Sequence, residues 1–225
     1  MTRYYPIMLR LEGEQCLVVG GGPVAERRTR GLLDAGAAVR VVAPAATEGL
    51  ERLASEGYIT WVRREYRDED LDGVRLCFAA ADREVNHRVA EEAMRRGILV
   101  NAADDREAGS FAAPAVVRRG RLVLAVTASG ASPALAGAIA RDLAERYGES
   151  WADYAEWLHR LRDATRAAVP DARERRRVLR AALDVPEAEW RRDLADGNLA
   201  ARIRELMERP VSPAAEDGMD GTDGE

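Results

Sequence analysis

The stretch CLVVGGGPVAERRTRGLLDAGAAVRVVAPAA, residues 16–46, decides the fold. It begins with an apolar run typical of a buried strand, and a glycine cluster follows at once. An amphipathic segment reaching about Ala35 then predicts a helix, with Gly36 placed to end it. A second apolar run, residues 39–42, predicts another strand. This order of strand, glycine turn, helix and strand predicts a βαβ unit.

The alternation of strands and helices continues to about residue 110. Further strands are predicted at residues 59–62, 74–80 and 98–101, and further helices at residues 48–56 and 84–96. Strands that alternate with helices predict a parallel, doubly wound sheet, that is, an α/β Rossmann-like domain. We place this domain at residues 1–112. A small α+β unit should follow at 113–150, a helical C-terminal region at 151–208, and a disordered acidic tail at 209–225.

Composition excludes several classes of protein. The 34 basic residues are all arginine, and the formal net charge of −5 is due to five acids in the last ten residues. The remainder is balanced, so no nucleic-acid footprint is predicted. No apolar run has the length of a membrane span and no signal peptide is recognisable, so we expect no membrane partner and a cytoplasmic location. Cys16 and Cys77 lie in strand-like runs and are predicted to be buried free thiols.

The glycine cluster fits the pattern G-x-G-x-x-A between a strand and a helix. Gly20 would permit the tight turn, Gly22 would let a pyrophosphate approach the backbone, and Ala25 would let the helix pack close to the sheet. Because Pro23 has no N–H, Val24 is the expected backbone donor at the helix start. A dinucleotide site is therefore predicted, against the alternative of a plain glycine-rich turn.

The second strand ends without the acidic residue that usually binds the adenosine ribose. Ala43, Pro44 and Ala45 stand there, and no arginine replaces the acid, so a clamp for the phosphate of NADP is not indicated either. Two interpretations remain open. The site has lost its ligand, or it holds adenosine through backbone groups near Pro44 and Ala45.

Asp104 and Asp105 follow the fifth strand, where open α/β sheets place their ligands. Either carboxylate could accept a proton from a substrate in a partly desolvated cleft, or simply cap a loop. Ala80 and Ala81, after the fourth strand, line the same crevice and leave room for a ring. No cluster of histidine, cysteine and carboxylate suggests a metal site.

Polar residues of the second unit are candidates for binding an anionic substrate. Arg118, Arg119 and Arg121 form a basic turn, which is either a solvated hairpin or a rim that attracts a polyanion. Ser129 and Ser132 lie in a small-residue loop before a helix. That loop is either an anion nest or a tight N-cap.

Four segments occur in the order seen in one family. These are YYPIMLRLEGEQCLVVGGGPVAERRTRGLLDAGAAVRVVAP from residue 4, AAADREVNHRVAEEA from residue 79, VNAADD from residue 100, and SFAAPAVVRRGRLVLAVTASGASPALA from residue 110. Together they resemble precorrin-2 dehydrogenases, the N-terminal half of siroheme synthase and its stand-alone relatives. The resemblance covers residues 5 to about 147.

The resemblance implies a function and assigns residues to it. It implies oxidation of precorrin-2 to sirohydrochlorin, with NAD bound without a ribose carboxylate. Asp104 matches the family's essential aspartate, while Pro23-Val24 and Pro44-Ala45 match its nucleotide contacts. Some members also insert ferrous iron, for which only transient metal binding is expected here. Homodimers are implied as well, through the strand at 122–126 and the helix at 133–147, although both could be internal core.

Two functions of other classes remain as alternatives. A regulatory module that senses NAD would use the same glycine turn without needing Asp104. A structural dimerisation protein would retain the Rossmann unit without binding any nucleotide.

Overall fold

The computed structural model describes residues 4–105 and 107–209. These residues form two compact units, divided between Ala113 and Pro114. The finer division of the second unit at residue 150 stays a proposal. The predicted acidic tail lies, from residue 210 onward, outside the described residues. None of the described helices combines the length and apolar character that crossing a membrane requires.

The first unit follows the predicted alternation of strands and helices. Its elements are β1 Gln15–Val19, α1 Pro23–Leu33, β2 Ala38–Val42, α2 Glu48–Ser55, β3 Ile59–Val62, β4 Leu76–Ala79, α3 Arg83–Arg95 and β5 Leu99–Ala102, with a 3-10 turn at Asp68–Leu71. The second unit contains β6 Ala115–Arg119, β7 Leu122–Val126, α4 Pro133–Arg146, α5 Ser150–Ala168, α6 Ala172–Ala181, α7 Glu187–Asp196 and α8 Leu199–Glu208, with a 3-10 turn at Ala182–Asp184.

All five strands of the first unit are parallel and have the order β3-β2-β1-β4-β5. The chain extends the sheet from β1 first in one direction, through β2 and β3, and then in the other, through β4 and β5. The carboxyl ends of β1 and β4 therefore flank the switch point at which such sheets bind ligands. The predicted Rossmann-like sheet is confirmed.

Helices cover both faces of this sheet. On one face, Leu32 of α1 and Leu50 of α2 pack against Cys16 of β1. On the other face, Val89 of α3 packs with Cys77 of β4. Both cysteines are free and buried, as predicted, and they belong to cores on opposite sides of the sheet.

The second unit joins a hairpin to helices, as predicted. Strands β6 and β7 form an antiparallel pair. Helices α5–α8 share a separate apolar core around Trp157, which is fully buried. The guanidinium of Arg202 is buried between α7 and α8 and donates to Asp193 at 2.7 Å and to Glu189 at 2.7 Å. This ion network fixes the last two described helices to each other.

Candidate active site and cofactor cleft

A cleft of about 890 Å³ opens beyond the carboxyl ends of β1, β2 and β4. Its wall contains most of the predicted nucleotide contacts, namely Gly20, Gly22, Ala43, Pro44, Ala45, Ala80 and Ala81. It also contains residues that the sequence analysis did not single out: Gly21, Ala46, Thr47, Glu65, Tyr66, Asp82, Glu84, Val85 and Arg88. The topology thus brings together groups from four separate segments of the chain.

The glycine turn is shaped by close approaches of backbone to backbone. Gly20 has φ +119°, and a Cβ there would collide with the carbonyl oxygen of Ala80. A Cβ at Gly21 would collide with the carbonyl oxygen of Ala45. At Gly22, in contrast, no described atom beyond the adjacent residues of the chain lies within 4 Å of the position a Cβ would take. This open space agrees with the predicted approach of a pyrophosphate to Gly22.

Helix α1 begins with Pro23, directly after Gly22 as N-cap. The Glu26 N–H is the first to donate within the helix, to the Gly22 carbonyl at 3.0 Å. The N–H groups of Val24 and Ala25 precede it and so have no acceptor within the helix. Because the N-cap Gly22 has no side chain to accept from them, these donors suit a bound anion. The residues present therefore fit the pyrophosphate of a dinucleotide.

The carboxyl end of β2, which has no acidic residue, is hydrogen-bonded to the neighbouring strand β3. The Ala43 N–H donates to the Val62 carbonyl at 3.2 Å, and the Ala43 carbonyl accepts from Trp61 Nε1 at 3.0 Å. Both backbone groups of Ala43 are therefore engaged inside the protein. Ala43 contributes to the shape of the cleft, and the predicted backbone contacts with adenosine fall to Pro44 and Ala45.

An aromatic residue, Tyr66, and a cationic residue, Arg88, also line the cleft. Tyr66 is buried, and the Arg88 guanidinium lies 5.0 Å from the centre of its ring and donates to the Tyr66 carbonyl at 2.7 Å. Burial, and then the nearby Asp68, raise the pKa of the Tyr66 hydroxyl, so it stays neutral. These residues follow β3 and lie on α3, so local sequence patterns could not have joined them to the glycine turn.

Asp104 is connected to the cleft through one buried side chain, Asn86. The Asn86 Nδ2 donates to Asp104 Oδ1 at 2.6 Å, and the Asp104 side chain is otherwise exposed. The Asn86 amide is also bonded to Ala81, which lines the cleft. In the described chain Asp104 therefore lies at the edge of the cleft rather than in the partly desolvated position that the sequence led us to expect.

The neighbouring carboxylate, Asp105, has a different set of partners. Its Oδ1 accepts from the N–H groups of Glu107 at 2.9 Å and Ala108 at 3.4 Å, and its Oδ2 lies 3.4 Å from His87 Nε2. Asp105 therefore closes the loop after β5. Among the described residues, both oxygens of Asp105 have partners, whereas only Oδ1 of Asp104 accepts a hydrogen bond.

The predicted substrate residues of the second unit differ in whether their side chains already form hydrogen bonds within that unit. Arg119 donates to the Ala144 carbonyl at 3.1 Å, and Arg121 donates to Glu156 at 2.8 Å. Ser132 Oγ accepts from the Leu135 N–H at 3.1 Å and so caps α4. Arg118 and Ser129 are exposed. Ser129 has φ +47°, a conformation that is uncommon for a residue other than glycine.

No metal centre is found in the described part of the chain. Residues 4–105 and 107–209 contain no group of three or more histidine, cysteine, aspartate and glutamate side chains that could hold an ion.

Comparison with known proteins agrees with this geometry. A family model described as putative NAD(P)-binding matches residues 7–115, which cover the sheet and the cleft. The siroheme synthase of Chromobacterium violaceum is 39% identical over 214 residues, covering 95% of this chain and 45% of the synthase. That of Neisseria meningitidis serogroup C is 42% identical over 175 residues, covering 77% of this chain and 36% of the synthase. The chain thus spans less than half the length of these curated relatives.

A solved structure matches most of this chain and the whole of its own length. SirC, a precorrin-2 dehydrogenase, is 31% identical, with a TM-score of 0.73, and the match covers 92% of this chain and 100% of that one. The similarity therefore extends past the nucleotide-binding unit into the second unit.

Proposed function

Because the chain belongs to the precorrin-2 dehydrogenase family, we propose that it oxidises precorrin-2 to sirohydrochlorin with NAD as cofactor. One observation carries the proposal. The Asp104 carboxylate, whose second oxygen has no hydrogen bond from the described residues, is held by a buried amide at the edge of a cleft that also contains an open glycine turn and a helix start suited to a pyrophosphate. We propose the cytoplasm as the site of the reaction.

The cofactor would accept the hydride, and the protein would accept the remaining proton. The oxidation removes two electrons and two protons from precorrin-2, and bound NAD accepts both electrons with one proton as a hydride. Asp104 accepts the other proton at Oδ2, the oxygen that Asn86 does not contact, as a general base. The glycine turn and the N–H groups of Val24 and Ala25 would hold the pyrophosphate, and Ala80 and Ala81 would leave room in the cleft for a ring.

The charges of the cleft support a preference for NAD over NADP. Three carboxylates, from Glu65, Asp82 and Glu84, line it together with one guanidinium, Arg88. Arg88 is already hydrogen-bonded to the Tyr66 carbonyl. An additional phosphate on the adenosine ribose would therefore meet acids and no uncommitted arginine along this wall.

We extend the proposal to substrate capture and assembly by the second unit. Arg118, exposed on its hairpin, is the cation that we propose attracts the polycarboxylate substrate. The interface of the proposed homodimer includes β7 and α4. None of the five residues of β7 is buried in the chain as described, and α4 exposes Leu135 and Ile139, so these elements are not closed internal core.

The resemblance also implies that some members insert ferrous iron into sirohydrochlorin. Since the described residues contain no fixed metal cluster, iron would meet the tetrapyrrole itself, with Asp104 accepting the pyrrole protons that iron displaces.

An anaerobic assay tests the proposal. The purified chain is incubated with precorrin-2 and NAD, and NADH and sirohydrochlorin are followed by their absorbance, with ferrous iron added afterwards. We expect one NADH for each sirohydrochlorin formed. Tight NAD binding without turnover would favour the NAD-sensing module, and no nucleotide binding would favour the structural protein.

A further inference from the structure

We propose that Asn86 is a positioning residue that fixes the Asp104 carboxylate for proton transfer and couples it to the wall of the cofactor cleft. The inference rests on the proposed function and adds to it a residue that acts through Asp104 without touching substrate. Asn86 lies on α3 with an exposure of 1%; it bonds Ala81 of the cleft wall and forms the only described hydrogen bond to the Asp104 side chain.

The three hydrogen bonds of Asn86 determine how its amide is turned. Oδ1 accepts from the Ala81 N–H at 2.9 Å, while Nδ2 donates to the Ala81 carbonyl at 3.1 Å and to Asp104 Oδ1 at 2.6 Å. A flipped amide would place its oxygen against a carbonyl and a carboxylate, both of which only accept. The orientation that donates to Asp104 is therefore the only one that satisfies this site.

The side chain of Asn86 is not needed to build α3. Asp82 already caps the helix, because its carboxylate accepts from the Val85 N–H at 3.0 Å. Burying a polar side chain costs free energy unless the side chain is hydrogen-bonded. Here two of the three bonds fix the backbone of Ala81 and the third fixes the exposed carboxylate.

Loss of this contact leaves Asp104 free to rotate in water. An exposed aspartate samples several rotamers, and only some of them direct its free oxygen at a substrate. Misplacing a reacting group by about 1 Å can cost about 100-fold in rate. The same amide accepts from the Ala81 N–H, so that N–H is not available to a bound nucleotide.

A double-mutant cycle tests the inference. Asn86→Ala, Asp104→Ala and the double variant are compared with wild type in single-turnover oxidation of precorrin-2 at saturating NAD, with NAD affinity measured separately. We expect Asn86→Ala to slow oxidation about 10- to 100-fold. In the Asp104→Ala background the same change should have less than about a 3-fold effect, because the residues act as one unit.

Two further variants separate positioning from folding. Asn86→Asp keeps the size of the side chain and the acceptor for the Ala81 N–H, but it sets a carboxylate against Asp104, so it should be slower than Asn86→Ala. His87→Ala is the matched control, since His87 is the next residue on α3 and lies beside Asp105 instead; it should oxidise precorrin-2 like wild type.

The outcomes distinguish this inference from the proposed function. If Asn86→Ala slows oxidation by the same factor with and without Asp104, Asn86 acts independently and the inference is overturned while the function stands. An Asn86→Asp variant as fast as wild type would overturn it too, and covers the case in which Asn86→Ala does not fold. If the wild-type chain binds NAD and does not oxidise precorrin-2, the proposed function itself has failed.

Discussion

The Thr47 hydroxyl donates a 2.6 Å hydrogen bond to the Glu26 carboxylate and so ties the first turn of α1 to the start of α2. Arg30 donates to the other oxygen of the same carboxylate at 2.7 Å. The hydrogen bond from Thr47, followed by that from Arg30, lowers the pKa of Glu26. Thr47 also donates its own N–H to the Gly21 carbonyl at 2.9 Å, so one residue holds two helices and the glycine turn.

Replacing Thr47 should loosen this corner of the cleft. Thr47→Val removes a hydrogen bond to a charged group and should lower the free energy of unfolding by about 1–2 kcal/mol, while Thr47→Ser should keep most of it. Urea unfolding at neutral pH measures the loss. Equal stability of the valine and serine variants would show that the hydroxyl contributes nothing.

The stability that the Thr47–Glu26 hydrogen bond contributes should depend on pH. Because the folded-state pKa of Glu26 lies below its ordinary value of 4.5, its stabilisation is complete above that value and is lost as the pH falls through the folded-state pKa. The stability difference between wild type and Thr47→Val should therefore shrink as the pH falls below 4.5. A difference that grows on acidification would contradict the assignment.

Gly22→Asp should abolish NAD binding without unfolding the protein. A side chain fits the open space at Gly22, but it would place a carboxylate where the pyrophosphate approaches, and we expect at least about a 100-fold loss of affinity, or roughly 3 kcal/mol. Calorimetric titration with NAD measures it. Gly31→Asp is the matched control, because Gly31 lies on the exposed side of the same helix and is also free of contacts in the described chain. Unchanged affinity in Gly22→Asp would place the ligand elsewhere.

Asp104→Ala and Asp105→Ala should differ in their effects on catalysis. Asp104→Ala should bind NAD normally and lower turnover by about 10²- to 10⁴-fold, the range for loss of a general base. Asp105→Ala should be mild, since Asp105 bonds its own loop. Any iron insertion should fall with Asp104 as well. Were Asp105→Ala the inactive variant, the assignment would be wrong by one residue.

Leu135→Arg tests the proposed dimer. Leu135 lies on α4 with an exposure of 52%, and a buried arginine without a partner at an interface should weaken association by at least about 100-fold. Light scattering at micromolar concentration should show a dimer for wild type and a monomer for the variant. Tyr58→Arg, at an aromatic position of the first unit that is 63% exposed, should stay dimeric. A monomeric wild type would refute the proposal directly.

The sheet was predictable from sequence because each strand and helix is marked locally. The apolar run 16–19, the glycine turn and the periodicity of α1 are contiguous signals, and so is the cap at Ser132. The contacts that complete the site are different in kind. Asn86 meets Asp104 across 18 residues, and Glu26 meets Thr47 across 21 residues.

Neither of these contacts can be predicted from the spacing of residues within a local segment of the sequence. Gly21 likewise occupies a free position of the turn motif, and only its contact with Ala45 shows why glycine stands there. The order of strands in the sheet brings such pairs together, and that order cannot be read directly from a single sequence.

The two buried thiols can serve as probes of local opening of the first unit. Burial raises the pKa of Cys16 to about 11, and it raises the pKa of Cys77 as well, so in the closed state both are protonated and slow to react. The chain has no other cysteine. Because one lies beneath α1 and α2 and the other beneath α3, the rates at which an alkylating reagent labels them report separately how often each helical layer lifts from the sheet. NAD bound at the start of α1 should slow the labelling of Cys16 more than that of Cys77.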